Sequence, residues 1–391
     1  MTQFTTELVD FLAQNNNLDE FFRNLLEQAM NDLLQSELTA MLGYEKHSTD
    51  GYNTGNSRNG SYTRSLDTKY GKVNLTIPRD RNGEFSTGLF DSHQRRDDYL
   101  EEMVIRLYQK GSSTRDIADI IEKLCGHHYS PATVSNITQL TQENVEAFHQ
   151  RSLKAMYSVL FLDGTYLPLR RKTVSKECIH LAIGITHDGH KEILGYEIAP
   201  NENNESWKDL LDRLKSQGVQ QVSLIVTDGL VGLDQVLHQA FPLAKQQRCL
   251  VHVGRNIFSN VKKKDQPEIA KQFKEIYKSP TAEEAMKRLA AFTNEWEDAY
   301  PKRMKKLAET ANLFTFYQFP EEIRQSIYST NLIENVNKEI KRRVKKHILF
   351  PDESALERFL VGLFEEYNAI NLSRTHRGFK TCQDTLESFF E

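Results

Sequence analysis

YSVLFLDGTY, residues 157–166, and SLIVTDGL, residues 223–230, are the two stretches that decide the fold. In each, an apolar run leads to an aspartate that is followed at once by glycine. Such runs are typical of buried strands that stop at a turn. We therefore predict that Asp163 and Asp228 each end a strand, where a carboxylate is held rigidly and the glycine lets a ligand approach. An ordinary turn is the alternative for either pair alone.

The sequence around these runs predicts the rest of a sheet. Alternating apolar residues at 179–185 and 193–198 flank an Asp-Gly pair, which predicts a hairpin. A helix is expected over 205–217, and further strands over 222–227 and 248–253. Three strands, a helix, a strand, a helix and a strand indicate an α/β fold with a mixed five-stranded sheet and flanking helices.

A third carboxylate, Glu334, lies in STNLIENVNKEIKRRVKKH, residues 329–347. At roughly 100° per residue, one face of a helix here is apolar and the neighbouring face carries Glu334 in line with lysines. A carboxylate beside a buried stripe suits a metal site continued by a phosphate-binding track. An ordinary surface helix with a Glu–Lys pair is the alternative. The apolar face holds Ile333, Val336, Ile340 and Val344, and the other holds Glu334, Lys338, Lys341 and Lys345.

The amino-terminal part of the chain changes composition twice. Residues 1–40 carry seven acidic side chains and one basic one, Arg23, with apolar residues at helical spacing, so residues 1–45 are expected to be an acidic helical region. Residues 46–97 are turn-rich, with a short strand at 72–77, and between residues 53 and 96 there are eight basic side chains and four acidic ones. Either phosphate contact or a solvated loop region fits this composition. The candidate DNA contacts are Arg58, Arg64, Arg79 and Arg81.

Residues 98–150 read as a run of helices containing a candidate helix-turn-helix. Ser113 with Asp116 resembles a capping box, Gly126 suits a break, and Ser130 followed by proline marks another helix start. Two short helices joined in this way resemble a DNA-binding motif, although plain helical packing gives the same pattern. The residues expected on the exposed face of the second helix are Thr133, Ser135, Asn136 and Gln139.

Bulk properties limit the class of protein. The 391 residues suit two or three domains. A net charge of -4 means that any DNA binding depends on local basic patches. We expect no membrane partner, since there is no long apolar stretch or secretory signal. The four scattered cysteines are expected to be reduced thiols in a cytoplasmic, nucleoid-associated protein.

Four blocks, in this order, carry a family resemblance: FLDGTYLPLR at 161–170, VTDGLVGLDQVL at 226–237, QRCLVHVGRNI at 247–257 and STNLIENVNKEIKRR at 329–343. They resemble the signature blocks of the mutator-type transposases of bacterial insertion sequences. That resemblance implies a ribonuclease H-like catalytic core and an Asp-Asp-Glu metal trio, which matches Asp163, Asp228 and Glu334. It also implies an all-helical insertion, so we expect core at 155–257, insertion at 258–328, and the glutamate helix with a carboxy-terminal tail at 329–391.

The same resemblance implies a reaction and its partners. A transposase of this kind cleaves the ends of its element and joins them to target DNA, using two Mg²⁺ or Mn²⁺ ions and no small-molecule cofactor. The protein is expected to act as a homodimer or larger assembly on element-end DNA and target DNA. In the catalytic part, the expected DNA contacts are Arg170, Arg171, Lys338, Lys341, Arg342 and Lys345.

Cys249 and His252 match a pair seen in the same family, and three interpretations stay open. Zinc would need two more ligands, for which Cys178 and His180 are candidates, but two strands are expected to separate them from Cys249. Alternatively, His252 orients DNA or a catalytic group beside the active site. The third interpretation is a packed core pair.

Other functions compete with transposition. A ribonuclease H-like nuclease would hydrolyse DNA without joining it. An inactivated transposase would bind DNA as a regulator, which loss of a trio carboxylate would favour, although all three are present. A metalloenzyme acting on small phosphorylated molecules would leave the helix-turn-helix candidate and the lysine track without a role.

Overall fold

A computed structural model describes residues 17–48, 55–90, 98–170, 174–229, 232–345, 350 and 352–390. The chain divides into two compact units, Met1–Thr141 and Gln142–Glu391. Among the described helices, none combines the length and the apolar character that crossing a membrane would require. Arg171, a predicted DNA contact, lies outside the described residues.

In the first unit, helix α1 (Leu18–Leu42) packs against a hairpin of β1 (Arg58–Thr68) and β2 (Gly71–Asp80). The core between them includes Leu34, Val73 and Leu75. The strand predicted at 72–77 is therefore confirmed. The predicted apolar stripe of α1 is buried only in part: Phe21, Leu34 and Leu38 are buried, whereas Leu18, Leu25 and Leu33 are exposed.

Three more helices lie in the described part of this unit: α2 (Asp98–Gln109), α3 (Thr114–Cys125) and α4 (Pro131–Gln139). The capping box of Ser113 and Asp116 forms, and Gly126 ends α3 with a φ of 69°. Ser130 Oγ accepts a hydrogen bond from the Thr133 amide at 3.0 Å, which fixes the start of α4. The start and stop signals that predicted these two helices are confirmed.

The second unit contains the five-stranded sheet. The strands are β3 (Met156–Arg170), β4 (Val174–Ile185), β5 (Lys191–Ala199), β6 (Gln221–Thr227) and β7 (Lys245–Arg248). Their order in the sheet is β5-β4-β3-β6-β7. β4 is antiparallel to both β5 and β3, whereas β6 is parallel to both β3 and β7. The predicted sequence of strands and helices is confirmed.

Helices surround the sheet. Leu160 and Leu162 on β3 belong to a core that includes Trp207. Because side chains alternate along a strand, Asp163 faces the opposite side of the sheet. The helices of this unit are α5 (Gln142–Gln150), α6 (Asn204–Ser216), α7 (Leu233–Ala240), α8 (Leu250–Phe258), α9 (Gln266–Ile276), α10 (Ala282–Trp296), α11 (Pro301–Ala308), α12 (Glu321–Ile327), α13 (Asn331–Val344), α14 (Glu353–Asn371) and α15 (Gln383–Glu387), with 3-10 turns at Thr315–Gln318 and Lys380–Cys382.

Two predicted strand boundaries are wrong. Most of the strand expected at 248–253 is helical: β7 ends at Arg248, where pairing with β6 ends, and residues 250–253 are the first turn of α8. Cys249 caps this helix, with its sulfur facing the His252 amide. Asp163 does not end its strand either, since β3 continues to Arg170 along β4. The strand that stops near Asp163 is its neighbour β6.

Candidate active site

Asp163 and Asp228 occupy equivalent positions on adjacent parallel strands. Phe161 pairs with Val226, and each aspartate follows two residues later in its own chain segment. Asp228 comes directly after Thr227, the last residue of β6. Beyond Thr227, therefore, β6 no longer lies beside β3. The carboxylates are therefore brought together at the edge where β6 ends, although Asp163 itself lies within a strand.

Burial and a neighbouring negative charge govern the Asp163 carboxyl. Only 7% of the residue is exposed, and its pKa is raised to about 6 by this burial and then by the charge of Asp228. Asn337 Nδ2 donates a hydrogen bond of 2.8 Å to Asp163 Oδ2. The Asn337 Oδ1 atom is buried and has no hydrogen-bond partner among the described residues. The pair of aspartates thus concentrates negative charge that a cation would neutralise.

Helix α13 brings Glu334 to the same site. As predicted, Ile333, Val336, Ile340 and Val344 are buried, so this face anchors the helix, which packs on β3. Glu334 is 8% exposed, and the nearby Asn337, three residues later on the same side of the helix, contacts Asp163. The apolar stripe therefore fixes the orientation in which Glu334 points toward the aspartates.

Glu334 is already paired with cationic side chains. Arg255 Nη1 donates to Oε1 at 2.7 Å and Arg255 Nη2 donates to Oε2 at 3.1 Å. His252 Nε2 lies 3.3 Å from Oε1, and Lys338 Nζ lies 3.9 Å from Oε2. Burial acts to raise the pKa of Glu334, but the hydrogen bond and charge of Arg255 outweigh it and the pKa is lowered.

The Cys249 and His252 pair forms part of this network. The sulfur of Cys249 accepts from the backbone and hydroxyl of Thr330, both at 3.2 Å, and that hydroxyl is 3.2 Å from His252 Nδ1. The Cys249 sulfur raises the pKa of His252 to about 9, with Asp163 and Glu334 adding to the effect. His252 thus lies beside Glu334, with its Nε2 3.3 Å from Oε1, and its raised pKa favours the protonated form.

The zinc interpretation finds no support in the described part of the chain. His180 packs edge-on against Trp207 at 4.7 Å between ring centres, and β3 and β6 separate its strand from β7, as expected. Among the described residues, no group of three or more His, Cys, Asp or Glu side chains is arranged to hold a metal ion. That statement includes the trio, in which Arg255 bonds to both oxygens of Glu334.

The space that a Cβ would take at each glycine after the two aspartates is filled by the protein's own side chains. A Cβ on Gly164 would lie 3.1 Å from both Cys178 Sγ and Glu202 Cδ. Gly229 has a φ of 91°, and the guanidinium of Arg248 packs directly against it. Both glycines instead allow close packing of the protein's own side chains.

Glu202 is a further carboxylate that the sequence analysis missed. It precedes α6 and accepts a hydrogen bond of 3.3 Å from Trp207 Nε1. Burial, followed by the charge of Asp228, raises its pKa to about 7. The signal in the sequence is weak, because a single glutamate in a loop before a helix has no distinctive spacing.

In the first unit, the predicted DNA contacts differ in their environment. Arg58 bonds to Thr39 Oγ1 at 2.8 Å and to the Tyr44 carbonyl at 2.9 Å, so its side chain braces the fold. Arg64 stacks on Phe90 at 4.7 Å and Arg79 on Tyr62 at 4.5 Å from the ring centre. Arg79, Arg81, Asn136 and Gln139 are exposed, and Thr133 and Ser135 are half-buried.

In the second unit, the lysine track is exposed next to the trio. Lys338, Lys341 and Lys345 are all exposed along α13, whereas Arg342 is paired with Glu339 at 2.7 Å. Arg170 is exposed at the end of β3. A cavity of about 610 Å³ opens beside Asp228, with Arg303 and Lys306 of α11 in its lining. Cationic groups therefore lie near the carboxylates on α13 and on α11.

Cation binding at this site is expected to weaken as the pH falls through about 6. The raised pKa means that Asp163 is protonated below about pH 6 and ionised above it, and only the ionised form ligates a metal. Mn²⁺ affinity, measured by calorimetric titration across this range, should fall up to about tenfold per pH unit below the pKa and level off above it. Asp163→Asn should bind Mn²⁺ weakly at every pH in this range, and a flat wild-type profile would contradict the assignment.

Comparison with known proteins places this geometry in context. The family described as "Transposase, Mutator family" matches residues 1–371. A transposase for insertion sequence element IS905 from Lactococcus lactis is 64% identical over 100% of both chains. A transposase for IS1201 from Lactobacillus helveticus is 46% identical over 92% of this chain and 98% of its own. A transposase for IS256 in transposon Tn4001 from Staphylococcus aureus is 31% identical over 91% of this chain and 92% of its own.

Proposed function

The chain belongs to the Mutator family of transposases, and from this premise we propose that it cleaves the ends of its insertion sequence and joins them to target DNA at Asp163, Asp228 and Glu334. Its general function is that of a DNA transposase. The proposal adds the residues, the metal dependence and the chemical steps.

One observation carries the proposal. Two carboxylates from adjacent parallel strands and a third from a helix packed on that sheet converge where β6 ends. The three groups lie close enough to interact electrostatically, because the charges of both Asp228 and Glu334 raise the pKa of Asp163. Clustering like charges in a folded protein costs stability, so such clusters are found mainly at functional sites.

The donor set fits a hard divalent cation. Mg²⁺ and Mn²⁺ prefer oxygen ligands, and Asp163 and Asp228 supply carboxylates, with the unpartnered Oδ1 of Asn337 beside them. Glu334 completes the set once it is released from Arg255. Two such ions, when bound, activate the attacking oxygen and stabilise the leaving oxygen in phosphoryl transfer.

The protein's own side chains have separate tasks in this scheme. Asn337 holds Asp163 in place through its 2.8 Å hydrogen bond, and His252 fixes the near oxygen of Glu334. The exposed lysines of α13 continue from Glu334 along one side of the helix and would follow a DNA backbone. Because the apolar face of α13 is packed on the sheet, the positions of these lysines relative to the carboxylates are fixed.

The finer architecture belongs to the same proposal. The order β5-β4-β3-β6-β7, with three antiparallel strands followed by two parallel ones, supports a ribonuclease H-like core, and the helices α9 to α12 correspond to the insertion. Capped helices α3 and α4 support a helix-turn-helix that binds element ends. We assign the functional form to a homodimer or larger assembly on DNA, acting at the nucleoid.

A substrate with a pre-formed 3′-hydroxyl distinguishes a transposase from a nuclease. Purified protein, Mg²⁺, a labelled element end cut at its 3′ terminus and a plasmid target should yield a joined product. A nuclease cannot use this hydroxyl as a nucleophile and would only cut the labelled DNA into shorter fragments. Stable binding without joining or cutting would favour the regulator.

A further inference from the structure

We propose that Arg255 is an exchange residue: it holds Glu334 before DNA binds and then transfers its guanidinium to a DNA phosphate, which frees Glu334 to complete the metal site. This inference rests on the proposed function and extends it to the order in which the site is assembled. It concerns one residue, which lies on α8, three positions after His252.

The geometry of the pair carries the first step. Both nitrogens at the tip of Arg255 bond to both oxygens of Glu334, at 2.7 and 3.1 Å. A guanidinium in this forked arrangement satisfies the same lone pairs that a metal ion would use. Glu334 therefore cannot serve as a full metal ligand while the pair is intact.

Exposure carries the second step. The side chain of Arg255 is 52% exposed, whereas that of Glu334 is 10% exposed. Arg255 is thus the outer member of the pair and faces the solvent from which a DNA strand approaches. A phosphate, like a carboxylate, presents two oxygens that can accept hydrogen bonds from both guanidinium nitrogens. It can therefore replace Glu334 as the partner of Arg255.

The surroundings of Glu334 carry the third step. His252 lies 3.3 Å from Oε1 and Lys338 lies 3.9 Å from Oε2, so the carboxylate keeps cationic neighbours after Arg255 leaves. Among the described residues, neither Asp163 nor Asp228 has an arginine or lysine at ion-pair distance. Of the three carboxylates, only Glu334 is prevented from ligating a metal ion by an ion pair. DNA binding therefore controls metal binding through Glu334.

The test measures metal and DNA separately in Arg255→Gln. Calorimetric titration with Mn²⁺ in the absence of DNA should show binding about tenfold tighter than in the wild type, because a competitor for Glu334 is removed. Cleavage of labelled element ends should fall by about tenfold or more, because a phosphate contact is lost. A purely structural role for Arg255 would weaken both.

Two variants complete the design. Arg255→Lys retains the positive charge but cannot bond to both oxygens of Glu334 at once. Its Mn²⁺ affinity should therefore lie between those of the wild type and Arg255→Gln. Lys338→Gln removes the longer contact to the same carboxylate and should change Mn²⁺ affinity by less than about threefold. Circular dichroism checks that each variant is folded, and Arg255→Lys carries the test if the glutamine variant does not fold.

The results separate the two proposals. Unchanged or weaker Mn²⁺ binding in the folded Arg255 variants overturns the exchange, whatever their cleavage rates are. Wild-type protein that neither cleaves nor joins element ends with Mn²⁺ overturns the proposed function instead. Tighter metal binding combined with weaker cleavage supports the exchange.

Discussion

Asp163→Asn is expected to reduce the rate of strand cleavage by at least about a thousandfold while leaving the binding of element ends unchanged. Asparagine has nearly the same shape and can still accept the hydrogen bond from Asn337, but it lacks the charge needed to hold a cation. Electrostatic groups at a reacting centre each contribute about a hundredfold to a thousandfold, and loss of a metal ligand exceeds this. Asp228→Asn should have an effect of the same size.

The measurement is the single-turnover rate of cleavage of labelled ends, with a gel-shift assay of the same DNA. Asp234→Asn is the matched control, since Asp234 lines the cavity beside Asp228 but is paired with Arg248 at 3.2 Å. Its cleavage rate should remain within about threefold of wild type, as expected for a partly exposed ion pair. Cleavage near the wild-type rate in either trio variant would remove that aspartate from the site.

Trp207→Ala is expected to lower the free energy of unfolding by about 3–5 kcal/mol. Trp207 is 1% exposed and packs among Leu160, Leu194 and Ile225. Its indole N–H also donates to Glu202 at 3.3 Å, so truncation leaves both a cavity and a half-buried carboxylate without this donor.

Urea unfolding followed by circular dichroism measures this change. Trp207→Phe keeps most of the packed volume and loses the indole donor, so it should cost roughly a third as much as the alanine variant. A loss below about 1 kcal/mol in Trp207→Ala would mean that the surrounding core collapses onto the site and that Trp207 is not central to it.

The fold was largely readable from the sequence because its signals are local. Alternation predicted the strands on either side of the hairpin at 188–189, and helical spacing predicted which face of α13 is buried. Capping residues marked the ends of α3 and α4, as the hydrogen bonds of Ser113 and Ser130 confirm. Each of these features depends on residues within about one helical turn or one strand.

The boundaries of strands depended instead on distant partners. β3 runs past Asp163 because β4 pairs with it as far as Arg170. The strand expected at 248–253 lies at Lys245–Arg248 instead, because β6 ends at Thr227, and Cys249, whose amide donates to the Thr227 carbonyl at 2.8 Å, already caps the next helix. The apolar sequence of one strand does not show where the strand paired with it ends.

The candidate site was readable only in outline. The resemblance to a family supplied Asp163, Asp228 and Glu334, and the packing of α13 gives a physical reason for the third. Asn337 and Arg255 were missed, although Asn337 follows Glu334 at a spacing of three. Arg255 reaches Glu334 across 79 positions of sequence, and no local pattern encodes such a pair.

Strand transfer by the wild type and by Glu334→Gln is the most direct test of the central claim that three carboxylates form one catalytic site. Both proteins would be supplied with uncut labelled element ends, a plasmid target and Mg²⁺. We predict a joined product that requires the metal in the wild type and is absent with Glu334→Gln, while both proteins shift the end DNA equally. Joining by Glu334→Gln at the wild-type rate would contradict the claim.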